Sequence, residues 1–353
     1  MKRPAIIVVV GMVIALTYYQ VEAQSPRKII GDAGINQWTP AAFSPDGKMI
    51  LARGFRPDSK LGPPYDQVLR LWDVASGKVI REYRYSNETS NQYFEQVAFA
   101  PDGKHVFACG QGLPLIMWDT QTAKEIRTFG EDRYWVCCFA LTPDGKFAIT
   151  ASTSQELAVW ELASGKLVKS VSVRDHYVPD SISDILFSKP TDRLIVCDID
   201  AFSLWRYPSL DFVIMGTSLE RVGPKQFPLP YPIALRSFAL GSDGRTIFYS
   251  EPRGPVYELD IATAKVKRTI DLKAVNRIHV LTVSPKGDKI MTTGFHGQTV
   301  VYSLPEGKVL KRMPGYGNVQ FSPDGKTALT FTKDGRMMLW DLEEEIEKRR
   351  EKE

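Results

Sequence analysis

The chain has 353 residues, 43% hydrophobic and 24% charged, which is ordinary for a soluble globular protein. Its formal net charge of +4 is small and spread over mixed signs, which argues against the basic surface of a nucleic-acid-binding protein. Four cysteines in a chain of this size do not make a disulfide framework.

Residues 1–23 predict a secretory signal peptide. Lys2 and Arg3 give a basic start, and Ala5–Leu16 is an apolar stretch. Val21-Glu22-Ala23 then places small or modest residues where a signal peptidase cleaves. The apolar stretch is shorter than the ~20 residues that a membrane-spanning helix needs. We therefore expect an exported protein, periplasmic or extracellular, with no membrane contact after cleavage; an uncleaved N-terminal anchor is the alternative.

From residue 43 to residue 346 two short phrases recur in alternation. The first reads FSPDGK at 43–48, FAPDGK at 99–104, LTPDGK at 141–146 and FSPDGK at 321–326, with worn copies at 187–193, 240–245 and 283–289. The second includes LWDVASGK ending at Lys78, MWDTQTAK at Lys124, VWELASGK at Lys166 and ELDIATAK at Lys265, with weaker copies ending at 211, 308 and 346. Self-similarity at a period of roughly 40–50 residues, with several short strands per unit, is typical of propeller blades.

The first copy shows how one unit is expected to fold. Ala41–Phe43 reads as a strand, and the turn at 44–47 has Pro45 to preset φ and Gly47 to accept a positive φ. Three further strands are predicted at 49–53, 68–72 and 79–82. Seven such units predict an all-β fold, a seven-bladed β-propeller of four-stranded antiparallel blades.

The last copy lacks a fourth strand, because the chain turns charged after Met337–Trp340. Arg27-Lys28-Ile29-Ile30 resembles the fourth strand at 78–81 but has no blade of its own. We expect this N-terminal segment to complete blade seven and remove the open edge of the ring. The predicted boundaries are a signal peptide at 1–23, a propeller at 24–342 and a charged, solvated tail at 343–353.

The cysteines are expected to be small buried hydrophobes. Cys109 and Cys197 fall inside apolar strand patterns, and Cys137-Cys138 lie in the strand entering the third blade. Because successive strand residues point to opposite faces, at most one of that pair is expected to face Cys109. A bridge from Cys109 to one of them is the alternative.

These residues resemble the WD-repeat family of β-propellers over about 25–346, and the SPDGK turns are similar to those of bacterial secreted propellers. The best copy is DQVLRLWD at 66–73, and Trp-Asp or Trp-Glu stands at 72–73, 118–119, 160–161 and 340–341. The Gly-His dipeptide that precedes each first strand in the family is absent. The resemblance therefore implies the fold without the family's complete Trp–Ser/Thr–His–Asp network.

No catalytic or metal-binding motif is present. His105, His176, His279 and His296 lack ligand spacing, and the chain has no GxSxG, P-loop or CxxC. The recurrent aspartates stand in turns, where this side chain bonds the local backbone. We expect no catalytic residue, no metal and no cofactor.

Long insertions fall on one face of the predicted ring. Turns after strands one and three lie on one face and are tight, whereas turns after strands two and four lie on the other. The insertions on that second face are Gly54–Tyr65, Tyr83–Phe94, Gly130–Trp135, Arg174–Ser183 and Gly216–Arg236. Insertions confined to one face of a repeat protein indicate a binding face.

The insertions are rich in aromatic residues and arginine, the types over-represented at interface hot spots. The candidate partner-binding residues are Phe55, Tyr65, Arg133, Tyr134, Trp135, Arg174, Tyr177, Phe227, Tyr231 and Arg236. We expect a monomeric, non-enzymatic platform for a protein or peptide; alternatively, these rings only pack the loops against the ring. The other functional hypothesis is a lactonase-like hydrolase or small-ligand binder at the channel mouth, which convergent ionisable groups there would favour.

Export is directly testable. The exported protein is expected to begin at Gln24, because the residues before it carry the cleavage pattern. Intact-mass measurement or N-terminal sequencing of the exported protein checks this, and retention of residues 1–23 would contradict it.

Overall fold

A computed structural model describes residues 26–31, 39–55, 67–85, 92–130, 135–173, 182–198, 201–217, 238–250, 255–272, 278–294 and 297–343. Within these ranges 28 β-strands form seven four-stranded antiparallel sheets. No helix in this part of the chain is long and apolar enough to cross a membrane. The predicted signal peptide and all but the first residue of the predicted tail lie outside it.

After the first strand, β1 (Lys28–Ile30), the strands follow one another blade by blade. Blade one contains β2 (Ala41–Phe43), β3 (Met49–Phe55), β4 (Gln67–Asp73) and β5 (Val79–Tyr83). Blade two contains β6 (Tyr93–Phe99), β7 (His105–Gln111), β8 (Leu113–Asp119) and β9 (Glu125–Phe129). Blade three contains β10 (Val136–Leu141), β11 (Phe147–Ser152), β12 (Glu156–Glu161) and β13 (Leu167–Ser172).

The later blades repeat the same order. Blade four contains β14 (Ile182–Ser188), β15 (Arg193–Asp198), β16 (Ala201–Arg206) and β17 (Asp211–Thr217). Blade five contains β18 (Phe238–Leu240), β19 (Thr246–Ser250), β20 (Val256–Asp260) and β21 (Lys265–Ile270). Blade six contains β22 (Ile278–Val283), β23 (Lys289–Gly294), β24 (Gln298–Ser303) and β25 (Val309–Pro314). Blade seven contains β26 (Tyr316–Phe321), β27 (Thr327–Phe331) and β28 (Met337–Asp341), completed by β1.

The predicted seven-bladed propeller is thus confirmed, but several predicted insertions are too long at their ends. β3 extends to Phe55, which pairs with Gln67, and β6 begins at Tyr93, which pairs with Gln111. Likewise β17 continues to Thr217 opposite β16. In each case the strand stays hydrogen-bonded to its neighbour beyond the residue where its alternating apolar pattern ends, so the connection begins later or ends earlier than predicted.

The apolar core of the described residues is divided into seven clusters, one between each pair of neighbouring blades. Between blades one and two, Leu51 and Tyr83 pack with Phe94. Each sheet therefore has an apolar layer on both faces, which is why the strands read as nearly continuous apolar runs. Every blade depends on its two neighbours to cover it.

Third-strand tryptophans hold the second and third strands together. Trp160 Nε1 donates to Thr150 Oγ1 at 2.9 Å, and Trp340 Nε1 donates to Thr330 Oγ1 at 2.8 Å. In blade two Trp118 donates instead to a backbone carbonyl at 2.9 Å. The Trp–Thr part of the family's network therefore persists in blades three and seven without the histidine.

The SPDGK turns are stabilised by their own side chains. Ser44 Oγ donates to Asp46 at 2.6 Å and accepts the Met49 amide at 2.9 Å. Thr142 makes the equivalent contact with Asp144 at 2.6 Å. The hydrogen bond from Ser44 is the main cause that lowers the pKa of Asp46. These aspartates are ionised groups of the local turn, as the sequence predicts.

Neighbouring SPDGK turns also touch. Gly47, at a φ of 70°, faces Pro323 of the preceding blade, and a Cβ at Gly47 would lie 3.5 Å from the proline ring. The same glycine-to-proline contact joins Gly103 to Pro45, Gly145 to Pro101, Gly244 to Pro190 and Gly325 to Pro285. The turns therefore form an interlocked rim around this face.

Closure of the ring by the N-terminal segment is confirmed. β1 pairs antiparallel with β28, with Ile30 opposite Met337. Ile30 is 2% exposed and packs in the cluster that joins blades seven and one, which includes Trp72. Lys28 Nζ donates to the carbonyls of Val74 and Ala75, so β1 is also tied to blade one.

Replacing Ile30 by alanine is expected to lower the free energy of unfolding by about 3 kcal/mol, because the change opens a cavity in the closing cluster. The adjacent Ile29 is 50% exposed, so Ile29→Ala is the matched control and is expected to cost less than about 0.5 kcal/mol. Urea unfolding of the two variants checks this. Equal losses would contradict the closing role, as would a 24–31 deletion that unfolds at the parent temperature.

Candidate functional site

The two faces of the ring differ in what they display. We call the face where strands one and three end the turn face, and the face where strands two and four end the loop face. Every turn-face connection between successive strands is a short turn within the described residues. The segments outside them within the ring, such as 56–66, 131–134, 174–181 and 218–237, each join strand ends at the loop face. The long connections therefore belong to the loop face, as predicted.

Among the predicted partner-binding residues, Trp135 has a described side chain. It directly precedes β10 at the loop face, is 43% exposed, and its carbonyl accepts the Thr153 amide at 2.9 Å. Phe55 is the last residue of β3, with its backbone described and its side chain not. The other eight predicted residues, Tyr65, Arg133, Tyr134, Arg174, Tyr177, Phe227, Tyr231 and Arg236, lie outside the described residues. Their role stays a prediction.

The centre of the turn face holds a shallow cavity of about 420 Å³. Its walls come from blades seven, one, two and three and consist of Ala42, Phe43, Pro45, Ala98, Phe99, Ala100, Pro101, Phe139, Leu141, Gln320, Phe321 and Pro323. None of these lining side chains is ionisable.

The inner strands carry extra residues near the loop face that the sequence reading did not identify. Glu95, Cys137, Ser183 and His279 each lie where the pairing register between strands one and two shifts. Such a bulge leaves one residue outside the ladder and redirects its side chain. The sequence signal for such a bulge is spacing. A regular strand buries every second residue, whereas here the buried apolar residues on either side of the bulge, such as Ile182 and Ile185, are three positions apart.

Two of these bulge residues bond the second strand in the same way. Cys137 Sγ donates to the carbonyl of Ala151 at 3.3 Å, and Ser183 Oγ donates to the carbonyl of Cys197 at 3.1 Å. Each acceptor lies 14 residues after its donor. The position is therefore a repeated structural feature whose residue type varies from blade to blade.

The four cysteines lie on the first two strands of blades two, three and four. All four cysteines are free thiols, and Cys109, Cys138 and Cys197 are buried, as expected. Cys137 is half-buried at the β10 bulge, and both Cys137 and Cys138 pack against the cluster between blades three and four. Cys109 lies in the cluster between blades two and three. The expectation that at most one of the pair faces Cys109 stays a prediction.

Ionisable groups gather near these bulges. Arg53 is 6% exposed and donates to the Phe94 carbonyl at 2.7 Å. Burial lowers the pKa of Arg53 to about 10, although the negative charge of Glu95 acts to raise it. Burial raises the pKa of half-buried Asp184 to about 6, although the Ile185 amide donates to this carboxylate at 2.8 Å. Glu95 and Asp184 lie on first strands, which are nearest the ring axis because first strands of neighbouring blades contact each other. Arg53 lies on the adjoining second strand of blade one.

Comparison with known families matches two stretches, 123–161 and 307–341, to the WD domain, G-beta repeat. In the structure each stretch covers the fourth strand of one blade and the first three strands of the next. This stagger between sequence repeat and blade requires a strand from the N-terminus to complete the last sheet, which β1 supplies. The chain contains WD repeats and folds into a seven-bladed β-propeller.

Curated relatives of this WD-repeat propeller come from several eukaryotes. WD repeat-containing protein 82 of Drosophila melanogaster is 22% identical over 79% of this chain and 84% of its own length. Autophagy-related protein 16 of Arabidopsis thaliana is 22% identical over 70% of this chain and 47% of its own. BEACH domain-containing protein B of Arabidopsis thaliana is 25% identical over 59% of this chain and 8% of its own length. The chain thus spans about half, or much less, of some relatives that it matches.

The propeller shows no metal centre in the part of the chain that the structure describes, where no group of three or more His, Cys, Asp or Glu side chains could hold a metal ion. The loop face displays an exposed aromatic side chain, which suits partner binding. The strands near the ring axis carry a buried cation, a carboxylic acid and thiols, which suit a small ligand.

The raised pKa of Asp184 gives a pH dependence with a defined sign. Its folded pKa of about 6 exceeds the ordinary 3.8, so the folded state binds the proton more tightly and stability falls as pH rises from about 4 to about 6. Asp184→Asn removes this loss and is expected to stabilise the protein by about 1–3 kcal/mol above pH 6, after allowance for solvent screening.

Urea unfolding at pH 4 and pH 7 measures the Asp184 effect. The gain of Asp184→Asn over the parent is expected to be larger at pH 7 than at pH 4. Ser183→Ala is the control, because it removes a neighbouring hydrogen bond and no titrating group. A gain that is the same at both pH values would contradict the raised pKa.

Proposed function

We propose that this WD-repeat propeller is a non-catalytic platform that binds a protein or peptide partner on its loop face. Propellers of this family generally bind protein partners. The observation that carries the assignment to the loop face is Trp135, a large aromatic side chain that is 43% exposed at a strand entry. By contrast, the third-strand tryptophans Trp118 and Trp340 are fully buried.

The turn face is less suited to this role. Its hydroxyl and carboxylate groups, such as those of Ser44 and Asp46, are bonded within the SPDGK turns. Its glycines and prolines contact the neighbouring blades, so a change in one turn disturbs the next. Connections on the loop face vary in length from blade to blade. Variation without loss of the ring is what a binding surface requires.

The proposal includes export of the monomeric protein to the periplasm or the cell exterior. The support for export is the basic start, apolar stretch and cleavage pattern in residues 1–23. The partner is not carried over from the relatives, because their names refer to unlike processes, such as autophagy and U3 small nucleolar RNA association.

Partner binding is tested by a loop-face variant with a matched control. The mature protein serves as bait, the captured partner is identified by mass spectrometry, and its Kd is measured by calorimetry. Trp135→Ala is expected to weaken binding by about 2 kcal/mol, or ~30-fold, as for an aromatic hot spot. Ile126→Ala is the control, since Ile126 is equally exposed at 43% but lies on the outer strand β9. Equal effects of both changes would overturn the loop-face assignment.

The longest connection supplies a second measurement on the same partner. Phe227 and Tyr231 stand between prolines at 224, 228, 230 and 232, which limit the entropy lost on binding. The double variant Phe227→Ala/Tyr231→Ala is expected to lose binding by about 2 kcal/mol or more while keeping its melting temperature. Lower stability with unchanged binding would show that the two rings pack the loop, and would defeat this part of the proposal.

A hydrolase or small-ligand binder is the second candidate, favoured by the Asp184 carboxyl, whose pKa near 6 suits acid–base catalysis at neutral pH. The test is a screen of lactone and ester substrates with the parent and Asp184→Asn. Hydrolysis by the parent that falls at least 100-fold in Asp184→Asn supports an enzyme. Equal turnover by both proteins, or none, removes this candidate.

A further inference from the structure

Two adjacent cysteines, Cys137 and Cys138, lie at the β10 bulge and pack against the same apolar cluster. In a regular strand the side chains of Cys137 and Cys138 would point to opposite faces. Here Val136 pairs with Ser152 and Cys138 pairs with Ala151, so Cys137 has no partner in the ladder. Both side chains pack against the apolar cluster between blades three and four, where the Cys138 thiol stabilises the Cys137 thiolate and so lowers its pKa. The pair is therefore a vicinal dithiol created by a backbone irregularity.

Solvent reaches this pair through Cys137. Its side chain is half-buried, whereas Cys138 is 2% exposed and Cys109, the third thiol nearby, is 0% exposed. The corresponding bulge residues of the neighbouring blades, Glu95 and Ser183, are exposed. Small solutes can therefore reach the Cys137 side chain from the loop face.

The three thiols differ in acidity. The hydrogen bond from Cys138 is the main cause that lowers the pKa of Cys137, because it stabilises the thiolate. Burial raises the pKa values of Cys138 and Cys109. The thiolate, which is the reactive form of cysteine, therefore appears first at the accessible sulfur.

We propose that Cys137 and Cys138 are a redox-active pair that a small hydroperoxide oxidises to an intramolecular disulfide. The Cys137 thiolate attacks one oxygen of hydrogen peroxide; an S–O bond forms, the O–O bond breaks, and the departing hydroxide takes up a proton as water. The Cys138 sulfur then attacks the sulfur of the resulting sulfenic acid. The S–S bond forms, the S–O bond breaks, and the hydroxyl leaves as a second water with the Cys138 proton.

Two thiols and one peroxide thus give one disulfide and two water molecules, and the two sulfur atoms together lose two electrons. Successive Cα atoms are about 3.8 Å apart across a trans peptide, which is shorter than the ~4.4–6.8 Å span of ordinary disulfides. The bond is therefore strained and readily reduced, as is typical of switching disulfides and not of structural ones.

Peptide mapping of the full chain tests the proposal. The reduced protein is treated with one equivalent of hydrogen peroxide at pH 7, then denatured and alkylated. We expect a Cys137–Cys138 disulfide that dithiothreitol reverses, with Cys109 and Cys197 alkylated. A bond from Cys109 to either residue, a bond between two copies of the chain, or sulfinic acid on Cys137 without a disulfide would overturn the proposal.

Single substitutions define the pair. Cys137→Ser and Cys138→Ser are each expected to abolish the disulfide, and Cys109→Ser to retain it. Cys197→Ser is the matched control, because Cys197 pairs with β14 in blade four as Cys109 pairs with β6 in blade two, and both are 0% exposed. Loss of the disulfide in Cys109→Ser or Cys197→Ser would contradict the assignment.

A measurement on the parent alone covers the case in which a variant does not fold. Iodoacetamide is added to the native protein, and the labelling rate of each cysteine is followed by mass spectrometry. Cys137 is expected to react at least 10-fold faster than Cys109 and Cys197, because it is the most accessible and most acidic of these thiols. Labelling of the three at equal rates would overturn the proposal.

Discussion

Mutual coverage of neighbouring blades is the constraint on which this propeller depends. Each four-stranded sheet is apolar on both faces, and a separate cluster fills each of the seven interfaces between described blades. A ring that stayed open would expose two such faces to water at once. The β1–β28 pairing prevents this, because Ile30 lies in the same cluster as Trp72 of blade one and Leu329 of blade seven. Three residues of strand thus stabilise an interface between the two ends of the chain.

The two faces of the closed ring have different roles. On the turn face, side chains such as Ser44 and Asp46 bond within their own turn, and glycines such as Gly47 rest on the preceding blade. The loop face carries the long connections, and it displays Trp135 at a strand entry. Stability and variation are therefore assigned to opposite ends of the strands. A WD-repeat platform needs this separation, since a partner-binding surface must change without opening the ring.

Convergence of the strands at the ring axis accounts for the chemistry at the centre. First strands of successive blades lie side by side, as the bond from Gln320 of β26 to the Ala41 carbonyl of β2 shows. Bulges near the loop face turn single residues out of the ladder there, among them Glu95 and Cys137. Polar side chains there are partly removed from water. Burial raises the pKa of Asp184, and the neighbouring Cys138 thiol lowers the pKa of Cys137. The inner strands thus carry ionisable groups whose pKa values are shifted by burial and by neighbouring side chains.

Local patterns in the sequence determined the blades, the SPDGK turns, the closing strand and the face that carries the insertions. Each depends on residues a few positions apart, so one repeat predicts the next. The ten predicted binding residues follow from composition, and the structure adds an exposed side chain for Trp135. Only the tertiary structure decided that Cys137 and Cys138 pack against the same cluster and that burial raises the pKa of Asp184 to about 6. Both effects arise where inner strands of different blades crowd together, and that crowding depends on residues far apart in the chain.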